Sequence, residues 1–181
     1  MLKPSNTRYR SHNQSGFTLI EIITVVFIIG VIISFASLSV STNEDQRVHQ
    51  EAERIQRLLT LAGEEAVLHG RELAMQVSQK GYLFVELDAA SGKWVPITDD
   101  KLFRQREFPD LFKIELKMWG KMMNLEEADK FQNIKTLSSG EMDPFTLWLR
   151  MDSGEAYAIK GDLVGQTSVY PPGEDPERET L

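Results

Sequence analysis

The stretch QSGFTLIEIITVVFIIGVIISF, residues 14–35, is apolar almost throughout and carries one charge, Glu21. Phe17 to Val40 are 24 residues. As a helix they would extend over about 36 Å, at ~1.5 Å per residue, which exceeds a hydrocarbon core of about 30 Å. The segment therefore predicts a membrane-spanning helix. An acid inside such a helix is costly, roughly 2.5–3.5 kcal/mol for a central charged residue, so we expect Glu21 to have a partner or a function.

The charge is distributed unevenly along the 181 residues, whose net charge is −7. Residues 1–16 hold three bases, Lys3, Arg8 and Arg10, and no acid, which leaves −10 on the rest of the chain. A basic flank before an apolar segment predicts a cytoplasmic N-terminus. Residues 42–181 hold 17 bases and 26 acids. Because binding to nucleic acid depends mainly on contacts between cations and phosphates, we do not expect nucleic acid as a partner.

Three interpretations of the apolar segment compete. In a cleaved signal peptide, residues 22–33 would form the apolar core, and Ser34-Phe35-Ala36 the cleavage site. In a permanent single-span anchor, nothing would be cut. Neither interpretation explains why an acid lies five residues after Gly16, in the apolar run that follows a Gly-Phe junction.

The third interpretation explains that position. GFTLIE, residues 16–21, resembles the processing motif of type IV pilins and of the pseudopilins of secretion systems. The resemblance implies that a prepilin peptidase cuts between Gly16 and Phe17 and N-methylates Phe17. It also makes Glu21 the fifth mature residue. The chain departs from the pattern at Ser15, where a basic residue is common, and in its 16-residue leader.

The chemistry of the new N-terminus gives Glu21 a function. Cleavage would create an amine at Phe17, and each of the two charges is costly when it lies alone in lipid. Pairing Glu21 of one subunit with the amine of a neighbour would neutralise both charges and determine the axial register. We therefore expect Glu21 to be an assembly contact.

The segment after the predicted span has helical periodicity. Apolar residues recur at intervals of four and three between positions 48 and 66, which predicts an amphipathic helix that ends at Gly70. We expect its apolar face to pack on strands, while a short coiled-coil seam is the alternative. These apolar positions are Val48, Ala52, Ile55, Leu59, Ala62 and Ala66.

The periodicity changes towards two after Gly70. Residues 73–77, 83–87 and 113–118 alternate, and hairpins are predicted around residues 88–93 and around Asp152-Ser153-Gly154. A short strand is expected at residues 167–170, and residues 120–137 give little structural information. Five to seven strands behind one helix predict an α+β fold with a mainly antiparallel sheet. The resemblance to pilins implies a pilin-like form of this fold, with a long N-terminal helix on the sheet.

These patterns divide the chain into five predicted segments. They are a cleaved leader (1–16), a transmembrane or filament-core helix (17–41), an amphipathic helix (42–70), a β-rich domain (71–170) and a disordered acidic tail (171–181).

Catalytic motifs are missing from the sequence. There is no cysteine, and the three histidines lie far apart, at His12, His49 and His69. The sequence contains no zinc-protease motif, no nucleophile-elbow motif and no phosphate-loop motif. We therefore expect no enzymatic activity, no catalytic residue, no metal site and no cofactor.

The C-terminal half of the chain narrows the resemblance to one family of pseudopilins. LSSGEMDPFTLWLR, residues 137–150, and GDLVG, residues 161–165, resemble segments of the minor pseudopilin H family of the type II (general) secretion pathway. This implies a structural subunit of a periplasmic pseudopilus that links a tip complex of minor pseudopilins to the major pseudopilin for the export of folded proteins. The implied partners are those pseudopilins, an inner-membrane assembly platform and prepilin peptidase, and the implied location is the bacterial inner membrane, with one span and a periplasmic domain.

Two alternatives remain. A minor pilin of a type IV pilus, including the kind that takes up DNA, would share the N-terminus. It would need a local basic patch, for which Lys113, Lys117 and Lys121 are candidates. A bitopic scaffold or signalling protein would keep residues 1–16 in its mature form.

Overall fold

The computed structural model describes residues 18–125 and 131–178, with residues 35–43 by their backbone alone. The chain divides into two compact units, Met1–Thr42 and Asn43–Leu181. In the described residues one helix, α1, runs over Leu19–His69. Ten strands follow within the part of the chain that the structure describes: β1 Leu73–Ser78, β2 Gly81–Asp88, β3 Lys93–Pro96, β4 Arg106–Glu107, β5 Phe112–Met118, β6 Lys121–Met123, β7 Gln132–Thr136, β8 Phe145–Met151, β9 Ala156–Gly161 and β10 Thr167–Tyr170.

The helix ends where the sequence predicts. Gly70 has a φ of 61°, and the amide of Arg71 donates to the carbonyl of Ala66 at 3.1 Å. This is the Schellman arrangement, in which a residue in the left-handed region closes the last turn. Glycine suits the position because it adopts a positive φ without strain.

The strands form two antiparallel sheets. The first has the order β3-β2-β1-β7, with β4 also paired to β2, and the second has the order β10-β9-β8-β5-β6. The six apolar helix positions predicted from the sequence are each at most 1% exposed. They belong to one core with residues of both sheets, including Met75, Phe84, Leu116 and Leu147. Burial of this one face explains the intervals of four and three.

The prediction of five to seven strands in one sheet is wrong, because the described residues form ten strands in two sheets. β4, β6 and β7 were not predicted, and residues 120–137, whose sequence gives little structural information, contain two of them. β7 is the sequence QNIKT, in which Ile134 is the one large aliphatic side chain, so its own pattern is weak. It forms because it pairs with β1, with Met75 opposite Ile134. The sequence of residues 126–130 fits either a helical turn or a solvated loop, and these residues lie outside the described ones.

The turn between β5 and β6 is the two residues Trp119 and Gly120, with φ angles of 51° and 74°. Both values are positive, as in the type I′ turns that match the twist of a hairpin. Trp is uncommon in that conformation, and its side chain is 62% exposed.

The C-terminal segment, residues 171–178, differs from the disordered tail that we expected. It forms turns, in which the amide of Glu174 donates to the carbonyl of Pro171 and the amide of Arg178 to that of Asp175, both at 3.2 Å. Pro176 is buried. Contacts with distant strands therefore order a segment whose composition alone indicates disorder. The expected tail beyond residue 178 lies outside the described residues.

Candidate assembly surfaces

The start of α1 holds the one predicted site residue that the structure describes. Gly16 and Phe17, the expected cleavage and methylation site, lie outside the described residues. The amide of Glu21 donates to the hydroxyl oxygen of Thr18 at 3.3 Å and to its carbonyl at 3.1 Å. Thr18 therefore caps the helix, and Glu21 is exposed in its first turn. The positive end of the helix dipole favours an acid there. The spacing T-x-x-E is typical of such a cap and is the signal from which this cap could have been predicted.

The first turns of α1 expose apolar side chains on every side. Twelve large apolar residues between Leu19 and Ile33 are 40–79% exposed. The hydroxyls of Thr24 and Ser34 donate to the carbonyls of Ile20 and Gly30, at 2.8 and 2.9 Å. These hydroxyls are therefore satisfied within the helix. A helix that is apolar all round requires apolar surroundings, such as a membrane or other apolar helices.

Among the described residues, we find no helix whose length and hydropathy together meet the requirements of a membrane span.

The basic patch proposed for a DNA-binding relative is interrupted by acids. Glu115 lies between Lys113 and Lys117 on β5 and accepts two hydrogen bonds from Arg150, at 2.8 and 2.9 Å. These bonds hold the pKa of Glu115 below its usual range and raise that of Arg150. Lys117 in turn pairs with Glu177. The first two of the three candidate lysines thus have a carboxylate beside them, which weakens attraction for phosphates.

The two histidines of α1 are paired locally. His49 Nε2 lies 3.4 Å from Glu53, and His69 Nδ1 lies 2.9 Å from Glu65, in each case four residues apart. Within residues 18–125 and 131–178, no group of three or more His, Cys, Asp or Glu side chains is arranged to hold a metal ion. These histidines therefore act as surface partners of helix acids.

A groove of about 870 Å³ lies beside the end of α1, and Arg71, Glu86, Asp88 and Asp99 are among its lining residues. Arg71 pairs with Glu86 at 2.9 Å and with Glu65 at 3.1 Å. Asp88 accepts from the hydroxyl of Ser91 at 2.6 Å, which lowers the pKa of Asp88. These contacts connect the end of α1 with β2 and close a turn. The charged groups that line the groove therefore have a structural role.

The comparisons with known proteins agree with this picture. Residues 11–37 match the prokaryotic N-terminal methylation motif. The chain is 31% identical to type II secretion system protein H of Pseudomonas aeruginosa, over 81% of this chain and 90% of the relative. It is 27% identical to the protein of that name from Aeromonas hydrophila, over 93% of this chain and the whole relative.

Solved structures show the same fold. The minor pseudopilin EpsH from the type II secretion system of Vibrio cholerae superposes with a TM-score of 0.61 at 24% identity, over 72% of this chain and 98% of that one. Escherichia coli GspH gives a TM-score of 0.52 at 19% identity, over 75% and 92%. The predicted α+β, pilin-like class is therefore confirmed. The chain belongs to the type II secretion system protein H family and is a minor pseudopilin of that system.

Proposed function

We propose that this minor pseudopilin is a structural subunit of a periplasmic pseudopilus, where it links the tip complex to the major pseudopilin during export of folded proteins. The observation that carries the proposal is the apolar first part of α1 with Glu21 in its opening turn. Such a surface suits helix packing and offers no catalytic chemistry. We therefore assign the chain a role in assembly and not in catalysis.

Anchoring precedes assembly. The N-terminal methylation motif implies attachment to the inner membrane. We propose that residues 17–41 cross it once, that the basic leader of residues 1–16 stays cytoplasmic until it is cut, and that residues 42–170 lie in the periplasm. The +3 charge of the leader favours this orientation. The inner-membrane platform would receive the anchored subunit.

Processing would then prepare the contact between subunits. Prepilin peptidase would cut between Gly16 and Phe17 and methylate the amine of Phe17. Glu21 would pair with the amine of a neighbouring subunit as the helices leave the lipid. Exchange of lipid contacts for equally apolar helix contacts changes the free energy little. The charge pair would therefore determine the axial register of neighbouring subunits.

A deletion strain tests the role. We expect exoenzymes to accumulate in the periplasm while uptake of transforming DNA stays normal. Normal secretion with lost transformation would contradict the proposal and would support the alternative, a minor pilin of a type IV pilus or DNA-uptake machine. Mass spectrometry of the mature chain tests processing, because the proposal requires it to begin at N-methylated Phe17.

Complementation of that strain tests Glu21. We expect Glu21→Ala to insert into the membrane at the normal level but to reduce crosslinking to other pseudopilins and secretion by at least about tenfold, since an unpaired buried charge costs several kcal/mol and ~1.4 kcal/mol already corresponds to tenfold. Glu64→Ala, which removes an exposed acid of the same helix, is the matched control. Normal crosslinking by Glu21→Ala would refute the assembly contact.

A further inference from the structure

The outward side of the second sheet is basic, in contrast to the acidic chain. The inward positions of β5 and β8 are buried, and the alternate positions face outward. The outward positions of β5, β8 and β9 include four bases, Lys113, Lys117, Arg150 and Lys160, which we call the basic face. They include one acid, Glu115.

The C-terminal segment, residues 171–178, lies on this basic face. The pairing register places Lys117 opposite Thr146 and Thr146 opposite Lys160, so the two lysines share one row. Lys117 Nζ donates to both carboxylate oxygens of Glu177, at 2.6 and 2.8 Å. Lys160 Nζ donates to the carbonyl oxygen of Pro176 at 2.7 Å. Pro176 is buried, and outward-facing Thr146 is only 6% exposed.

The observed contacts define a ligand chemistry. The basic face receives a carboxylate and, one residue before it, the carbonyl of a buried proline. Charge complementarity alone would also suit a phosphate. A prolyl carbonyl as acceptor and a buried proline ring are features of a peptide, so the observations favour an acidic, proline-containing segment over nucleic acid.

The segment is held in a way that permits exchange. It forms consecutive turns and does not extend the sheet as a strand. The side chains of Lys117 and Glu177 are 28% and 43% exposed, and exposed ion pairs contribute only about 0.2–1 kcal/mol. A segment that binds in cis through such contacts can be displaced by a competing segment of similar chemistry.

An aromatic side chain stands beside the site. A cleft of about 350 Å³ is lined by Trp119 and Phe145 together with Lys117, Lys160 and Glu177. Trp119 is 62% exposed and has a φ of 51°. A strained backbone that presents an exposed aromatic side chain is common where a protein binds a partner.

We propose that the basic face is a docking site for an acidic, proline-containing segment of another protein chain, and that residues 171–178 occupy it in cis until such a segment displaces them. Affinity for the external segment then depends on the fraction of molecules whose own segment is released. The proposal does not depend on the linking role in the pseudopilus.

Fluorescence anisotropy with the full-length chain in detergent tests this. The probe is a labelled peptide, PPGEDPER, which is the sequence of residues 171–178. We expect Glu177→Gln to bind the probe about three- to fivefold more tightly than the unsubstituted chain, because one ion pair of the cis segment is lost. Asp175→Asn with Glu177→Gln should bind more tightly still, since Asp175 Oδ1 accepts from the amide of Glu177 at 3.0 Å.

Two further variants identify the site. Lys117→Gln added to Glu177→Gln should weaken binding of the probe by about three- to fivefold, since a carboxylate in the site would lose its cation. Lys121→Gln, which removes a base of β6 outside the basic face, is the matched control and should leave binding unchanged. Circular dichroism would establish that each variant is folded.

The proposal would be overturned if the unsubstituted chain and Glu177→Gln bound the probe with equal affinity, or if Lys117→Gln left binding of the probe unchanged. A DNA oligonucleotide of equal charge that competes better than the unlabelled peptide would also overturn it, because the site would then recognise nucleic acid.

Discussion

Tyr82 brings a polar group into the core of the Asn43–Leu181 unit. Its side chain is 1% exposed, and its hydroxyl donates to Glu51 Oε1 at 3.1 Å. Burial and the neighbouring Glu51 carboxylate raise the pKa of Tyr82 well above its usual range. Arg54 binds the other oxygen of Glu51. Each of these polar groups therefore has a partner, which compensates for the loss of water.

We predict that Tyr82→Phe lowers the free energy of unfolding by about 1.5–3 kcal/mol, the usual range for a hydrogen bond to a charged group. Urea unfolding followed by tryptophan fluorescence would measure it. Tyr157→Phe is the control, because Tyr157 makes a similar bond to Asp45, also at 3.1 Å, in a more exposed place. An equal or larger loss for Tyr157→Phe would contradict the burial argument.

Two glycines should respond in opposite directions to replacement by alanine. At Gly81 a methyl group would overlap the carbonyl oxygen of Arg106 where β4 pairs with β2. At Gly63, within α1, the nearest atom would be Thr136 Cγ2 at 3.7 Å, an ordinary contact.

We predict that Gly81→Ala destabilises the fold by about 1–3 kcal/mol through overpacking. Gly63→Ala should stabilise it by about 0.5–1 kcal/mol, because alanine loses less conformational entropy in a helix. Urea midpoints of the two variants would test both signs together. A destabilised Gly63→Ala would mean that α1 lies closer to β7 than the structure indicates.

At the scale of elements, the second sheet has a charge pair across two neighbouring strands. Glu115 on β5 is paired in register to Trp148 of β8, and Arg150 follows two residues later on the same face of that strand. Both oxygens of Glu115 accept from the guanidinium. The bidentate geometry makes this ion pair stronger than most surface pairs, although both side chains are 39% exposed and water therefore screens it.

The pKa of Glu115 is lowered in the folded chain, so its ionised form stabilises the fold. This contribution should be complete above the ordinary glutamate pKa of about 4.3, and it should disappear as the pH falls through the lowered folded value. Glu115→Gln should therefore cost about 0.5–1 kcal/mol at pH 7, after allowance for screening, and nothing in strong acid. Urea unfolding of the unsubstituted protein and of Glu115→Gln between pH 7 and pH 2 would test this. A difference in their free energies of unfolding that persists unchanged at pH 2 would contradict it.

At the scale of the whole molecule, the core residues that the structure describes all lie within the Asn43–Leu181 unit. Its first buried helix residue is Val48, and all other members follow in sequence. The exposed apolar residues 19–33 belong to the other unit. We therefore expect the β-rich unit to fold without the apolar helix residues.

We predict that a fragment of residues 43–181 folds without residues 1–42 and unfolds cooperatively, with a free energy of unfolding of about 5–15 kcal/mol, as is usual for a single domain. Near-UV circular dichroism and a urea transition would test it. Loss of the near-UV signal, with far-UV signal retained, would show that the first 42 residues are needed for packing.

The local elements were predictable because neighbouring residues encode them. The intervals between residues 48 and 66 predicted the buried helix face, and the glycine at position 70 predicted its end. Alternation and turn residues predicted the hairpins around residues 88–93 and 152–154. The GFTLIE motif pointed to the family because it is a short, continuous sequence signal.

The sequence by itself therefore determined the helix, the hairpins and the pseudopilin type of N-terminus. Only the tertiary structure decided that β7 pairs with β1, that the strands divide into two sheets, and that residues 171–178 dock on the basic face. Lys117 and Glu177 are 60 residues apart, and Ile134 lies opposite Met75 although 59 residues separate them. Such contacts form because distant elements bury shared surfaces and satisfy each other's polar groups, and the pattern of either element alone does not encode its partner.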